Sequence, residues 1–157
     1  ADQGEFFIHR NIANLVPPYE PDGNQHGTSA AVEYAVTALK VAHIVIVGHS
    51  NCGGVRGCHD MCSGHAPELE EKSSFVGRWM DILRPGYERV KDIEDETTRV
   101  RALEKEAVLT SPQNPMPFPF VDEAVKKGDL SLHGLWNDIG EGQLEQYLPS
   151  EKAFKPI

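Results

Sequence analysis

Gly48-His49-Ser50-Asn51-Cys52-Gly53-Gly54 puts an imidazole and a thiol three residues apart, with paired glycines directly after them. Imidazole and thiolate are ligands that zinc(II) favours, and one tight turn can bring both to a single ion. The glycines let backbone pass close to such an ion, and amides at the start of a following helix favour an anion. The same spacing also admits a cysteine packed as a small hydrophobe beside a hydrogen-bonded histidine. A second group, Cys58-His59-Asp60-Met61-Cys62, follows closely. Cys58 and Cys62 stand at i and i+4, hence on one face of a helix. With His49 and Cys52 they would supply four zinc donors. They lie about one to two helical turns farther on, however, leading away from the first pair. Semi-buried thiols on a helix are the preferred reading of these two.

The elements around the turn must position it. Residues 41–47 form an apolar, largely β-branched run that predicts a buried strand, with His49 and Cys52 on the turn beyond its end. Parallel α/β sheets keep their active sites at that end. Thr28 or Ser29 can cap a helix over 30–40, whose Ala31, Val32, Tyr34, Ala35, Val36, Ala38 and Leu39 wrap most of the circumference and predict extensive burial. Gly53 opens a helix to about residue 61. Ser73 or Ser74 caps a helix over 75–83, and Pro85-Gly86 separates it from a long polar helical region carrying Val90, Ile93, Val100, Leu103 and Ala107. The acidic run 92–96 is a solvated face or a turn between two helices. Residues 111–119, rich in proline, predict a rigid connection, and 121–127 a short helix stopped by Gly128. Residues 5–9 predict a short buried strand; 130–136 and 144–147 predict two paired strands around a turn. Strands alternating with helices indicate an α/β fold.

The bulk composition excludes several classes. A chain of 157 residues can form one domain with a real core. A formal net charge of −9 argues against binding nucleic-acid phosphates or anionic membrane surfaces. Three cysteines do not make a secreted disulfide framework, so a reducing compartment is expected, with thiols free for metal. The cytoplasm is the first expectation, with a mitochondrion or plastid as alternatives. The first residue is Ala1, which suggests a processed or truncated polypeptide.

The segments Gly4-Glu-Phe-Phe-Ile-His-Arg-Asn-Ile-Ala-Asn14, Glu33-Tyr-Ala-Val36 and Gly48–Gly54 closely resemble the β-class carbonic anhydrases, as does Ser131-Leu-His-Gly-Leu-Trp136 with its following turn. The resemblance runs over nearly the whole chain with its motifs in order, and Leu15-Val-Pro-Pro18 suggests a plant- or fungal-like member. It implies a mainly parallel sheet flanked by helices, with an antiparallel C-terminal edge strand. It also implies a homodimer or higher homo-oligomer. In the family two cysteines and a histidine hold zinc, and His49 and Cys52 match the second and third ligands. The metal supplies hydroxide at neutral pH that converts carbon dioxide to bicarbonate. Phe7, Ile12 and Tyr34 match positions that line the small substrate pocket, partly across a dimer interface. Gly53 and Gly54 amides could steady the anion.

The resemblance places the first ligand in a Cys-x-Asp-x-Arg strand preceding the Gly4 segment, which these 157 residues do not contain. Neither do they contain the aspartate that orients the zinc-bound hydroxide, or its arginine partner. That strand would sit centrally in the sheet. The expectation for the chain as it stands is weak zinc binding and little activity. Two other functions remain open on the sequence: a hydrolase of carbon disulfide or carbonyl sulfide, and a non-catalytic domain with structural zinc at His49, Cys52, Cys58 and Cys62. His9 and His43 are expected within strands, His26 and His65 in loops. His133, Trp79 and Trp136 are read as packing residues, and Arg10 and Asn11 as holding backbone near the site.

Overall fold

A computed structural model describes residues 2–21, 26–71, 74–110 and 118–157. The β-branched run becomes strand β1 (His43–His49), shifted two residues toward the turn, so that His49 closes the strand rather than following it. β1 pairs in parallel with β2 (Ser131–Asp138), with His49 opposite Asn137. From β2 the sheet continues antiparallel to β3 (Gln143–Leu148) and then to β4 (Ala153–Pro156), in the order β1-β2-β3-β4. The α/β class holds, and the described sheet is mixed, with one parallel and two antiparallel pairs. The sequence pattern did not reveal β4, a four-residue strand ending in proline.

Among the described residues six α-helices accompany the sheet: α1 (His26–Glu33), α2 (Gly53–Cys62), α3 (Phe75–Met80), α4 (Arg84–Val90), α5 (Glu96–Thr110) and α6 (Pro119–Lys127). Ser74 caps α3, its Oγ accepting from the Gly77 N–H at 2.9 Å. Pro85-Gly86 lies inside the first turn of α4 instead of separating two helices, because proline is tolerated where an N–H has no intrahelical partner. The acidic run is the turn between α4 and α5. Gly128 ends α6 at φ 79°. The predicted cap Ser73 and the proline-rich residues 111–117 lie outside the described residues.

α5 lies across one face of the β1–β2 pair. A Cβ at Gly48 would sit 2.6 Å from Val108 Cγ2, and one at Gly134 would sit 2.8 Å from Val108 Cγ1. Neither strand could approach the helix this closely with a side chain there. Around α2, α4 and α5 a core forms from Val55, Cys58, Met61, Met80, Leu83, Leu103 and Ala107. A smaller cluster joins Val36, Phe118, Val121 and Leu130 at the other end of the sheet.

Three expectations of burial fail together. Residues 5–9 form no strand, and Phe6 and Ile8 are 68% and 74% exposed. A strand is held by a ladder partner, and none lies beside this segment among the described residues. β1 is not a buried strand on both faces: Val45 and Val47 are exposed, opposite the face under α5. The helix begun at α1 starts at His26, runs on as a π-helical stretch (Tyr34–Ala38), and among residues 27–38 buries only Thr28, Ala35 and Val36, leaving Tyr34 and Leu39 exposed. No helix among the described residues is long and apolar enough to cross a membrane.

Candidate functional site

The C-terminal ends of β1 and β2 and the N-terminus of α2 converge on the His49–Gly54 turn. The turn hangs from β2 by the Ser50 N–H, which donates to the Asn137 carbonyl at 2.8 Å. Ser50 is fully buried, and its Oγ accepts from the Ile139 N–H at 2.8 Å while facing Asp138 Oδ1 at 3.4 Å. Asn51 takes a left-handed backbone conformation, φ 57°, which asparagine tolerates better than most residues. Cys52 is the N-cap position of α2 and is buried.

His49 Nδ1 lies 2.9 Å from the Ser50 carbonyl oxygen. A carbonyl only accepts, so in the neutral ring Nδ1 carries the proton and Nε2 the lone pair. A metal-binding imidazole is normally fixed through its other nitrogen in this way. The donor types therefore fit zinc at both predicted ligands. Their number does not complete a site: among the described residues no group of three or more His, Cys, Asp or Glu side chains could hold a metal ion. In particular, Cys58 and Cys62 do not join His49 and Cys52. Cys58 Sγ faces Cys62 Sγ at 4.0 Å and the Met80 carbonyl at 3.6 Å, and burial pushes both thiols up from their ordinary range. Cys58 is fully buried, Cys62 half-buried, and both behave as packing thiols of α2.

Glu104 of α5 supports the turn from below. It is buried, and its Oε1 accepts from the Cys52 N–H at 3.3 Å, with the Asn51 amide also facing the carboxylate. Burial pushes its pKa up, and these amides together with Arg101, 3.6 Å from Oε2, pull it only partly back. The Trp136 side chain also faces the carboxylate and helps to hold its pKa down, although Trp136 Nε1 and Glu104 Oε2 reach no partner in full hydrogen-bond geometry. Arg101 also pairs with Asp138 and stacks over the Trp136 ring at 4.8 Å. For Asp138, burial is outweighed by the hydrogen bonds from Arg101 and the Gly140 and Glu141 amides, so its carboxyl stays below the ordinary aspartate range. None of Ser50, Arg101, Glu104 or Asp138 was singled out from the sequence. The available signal was spacing, since Glu104 shares a helix face with Ala107 and Val108.

Of the predicted pocket residues, Ile12 lies against the turn at Gly54, and Phe7 packs on Tyr34. The Phe7 and Tyr34 rings are 5.8 Å apart and tilted by 50°. Ile12 reaches Gly54, where a Cβ would meet Ile12 Cγ2 at 2.5 Å and the Ala13 nitrogen at 3.1 Å, so only glycine fits. Phe7, Ile12 and Tyr34 are each about half exposed. Asn11 ties this segment down, its Nδ2 donating to the Leu15 carbonyl at 2.8 Å and to Thr28 Oγ1 at 3.2 Å. Trp79 Nε1 donates to the Ile12 carbonyl at 2.8 Å, and His9 bonds Thr28 rather than lying in a strand. Trp136 is a packing residue, nearly fully buried. His65 lies in the loop after α2, whereas His26 begins α1.

A family model described as carbonic anhydrase matches residues 1–144. Beta carbonic anhydrase 3 of Arabidopsis thaliana is 40% identical over 149 residues, 90% of this chain and 55% of that protein. The chain thus spans about half the length of that relative. The solved structure of the β-carbonic anhydrase CcaA is 29% identical, with TM-score 0.85, covering 100% of this chain and 69% of that one. A tetrameric β-carbonic anhydrase of Sordaria macrospora is 32% identical, with TM-score 0.70, covering 92% of this chain and 69% of that one.

Proposed function

The chain belongs to the β-carbonic anhydrase family, and we propose that it serves the reversible hydration of carbon dioxide to bicarbonate and a proton, with His49 and Cys52 as two ligands of a zinc ion. The observation that carries this reading is the His49 ring. Its Nδ1–H is locked on the Ser50 carbonyl and its Nε2 lone pair is free, three residues before a buried thiol at the end of a parallel strand pair. Zinc, when bound, supplies the Lewis acidity that makes hydroxide available at neutral pH.

The protein's own residues divide the remaining work. Glu104 holds the Cys52 amide and so fixes the turn. The amides of Gly53 and Gly54 open the ten-residue helix α2, where partial positive charge suits a bicarbonate anion. Phe7, Ile12 and Tyr34 give uncharged carbon dioxide an apolar wall. A catalytic zinc takes at least three protein donors. The third, with an Asp–Arg pair, would come from a Cys-x-Asp-x-Arg strand outside these 157 residues, laid against the edge of β1 that is unpaired among the described residues. For the 157-residue chain by itself it follows that zinc binds weakly and hydration is slight. A homodimer or higher homo-oligomer completes the proposal, in which a second subunit covers part of the exposed apolar wall.

Stopped-flow carbon dioxide hydration tests the assignment, comparing this chain with a form extended by the missing strand. The extended form is expected to be active, and His49→Gln or Cys52→Ser to bring it to background. Undiminished hydration in Cys52→Ser would overturn the ligand assignment. Full hydration by the 157-residue chain would overturn the need for a further strand.

A further inference from the structure

His43 and His133 lie on the solvent-facing side of the sheet, apart from the His49–Gly54 turn. Their facing nitrogens, Nδ1 of His43 and Nε2 of His133, are 3.1 Å apart, with ring centroids at 5.2 Å. The register explains the meeting: Val45 is opposite His133, so His43 is its diagonal neighbour two residues back along β1. Side chains alternate along a strand. Gly48 and Gly134, at even positions, face Val108 of α5, so the odd positions His43, Val45, Val47 and His133 share the opposite face. On that face His43, Val45 and Val47 are exposed.

We propose that this pair is a two-imidazole binding site for a late first-row divalent cation, such as Ni2+, Cu2+ or Zn2+, separate from the site at His49 and Cys52. Imidazole nitrogen suits these ions. With metal–nitrogen bonds of about 2.0–2.1 Å, two nitrogens on one ion stand about 2.9 Å apart at a right angle and about 3.3 Å apart in a tetrahedron. The observed separation falls between the two. The contact now holds one shared proton between the rings. Binding requires the donor ring to carry its proton on its other nitrogen, which leaves a lone pair on each facing atom and loses no proton overall. Both rings stand on paired strands, so the second bond to the ion forms without ordering new backbone. No third His, Cys, Asp or Glu among the described residues completes a cluster, so water or a chelator fills the remaining positions. The net charge of −9 favours cations over anions at the surface.

The test uses untagged protein and NiCl2, read by calorimetry and by retention on immobilised Ni2+-nitrilotriacetate, which offers two adjacent open positions. One equivalent is expected at this pair, apart from any weaker binding at His49 and Cys52. Because two donors on one scaffold act as a chelate, His43→Gln and His133→Gln should each weaken binding about 100-fold. The double variant His49→Gln/Cys52→Ser should leave it in place. Unchanged binding in either single variant, or loss of this binding in the double variant, overturns the proposal. Should the single variants fail to fold, histidine-directed diethylpyrocarbonate labelling of the unaltered protein gives an independent answer. Ni2+ is expected to protect His43 and His133 together; protection confined to other histidines contradicts the proposal.

Discussion

The two faces of the β1–β2 pair use similar residues and meet opposite surroundings. Beneath α5, Gly48, Gly134 and Trp136 fit against Val108, Lys105 and Arg101, with little space left over. On the other face Val45 and Val47 are half exposed. The covered face fixes the geometry of the His49–Gly54 turn through Glu104 and Asp138. The open face leaves the side chains of Val45 and Val47 in contact with solvent. The candidate site is therefore built from one side only.

Substitutions should separate the two faces sharply. The largest effect belongs to Gly48→Ala, whose Cβ would meet the stiff Val108 side chain at 2.6 Å. It should cost about 3 kcal/mol by chemical denaturation, at the upper end for overpacking, and Val108→Ala added to it should recover part of that loss. Simple additivity of the two would contradict the proposed close approach. Next comes Glu104→Ala, which strips the buried Cys52 N–H of its acceptor and should cost about 2 kcal/mol, whereas Glu104→Gln keeps an acceptor and should cost less.

Asp138 gives a smaller, pH-dependent effect. Its folded pKa is lowered, so its contribution is full above the ordinary aspartate range and is lost as pH falls through the lowered folded value. Thermal melts of the unaltered protein should lose stability on acidification that Asp138→Asn does not lose. Identical acid profiles would remove the Arg101–Asp138 pair from the account. The smallest effects belong to the open face: Val45→Thr and Val47→Thr should each change the stability of the 157-residue chain by no more than about 0.5 kcal/mol. A loss of several times that would mean the face is covered in solution.

The sequence made the covered half of the fold legible because its signals are local. The β-branched run before Gly48, the cap at Ser74 and the stop at Gly128 each act through neighbouring residues, and each appears within two residues of its expected place. The failures involve partners distant in sequence. Residues 5–9 have strand composition, yet strand structure needs a ladder partner, and none lies alongside among the described residues. Nothing in the sequence near Glu104 marks it, and only the approach of the Cys52 turn, 52 residues earlier, makes it a buried acceptor. His43 and His133 each read as ordinary strand residues, and only the register, 90 residues apart, makes them a pair. Of the candidate site, the motif disclosed the donor types at His49 and Cys52. It could not disclose the hydrogen bond that fixes the His49 tautomer.

The central claim is that His49 and Cys52 form a positioned but incomplete pair of zinc donors. Competition for Zn2+ against a chromophoric chelator tests it most directly, on the 157-residue chain, its His43→Gln/His133→Gln variant to silence the surface pair, and that variant with Cys52→Ser. The account predicts weak, one-to-one binding in the His43→Gln/His133→Gln background that disappears on adding Cys52→Ser and persists on adding Cys58→Ser/Cys62→Ser instead. Tight binding that survives Cys52→Ser, or that collapses with Cys58→Ser/Cys62→Ser, would contradict it.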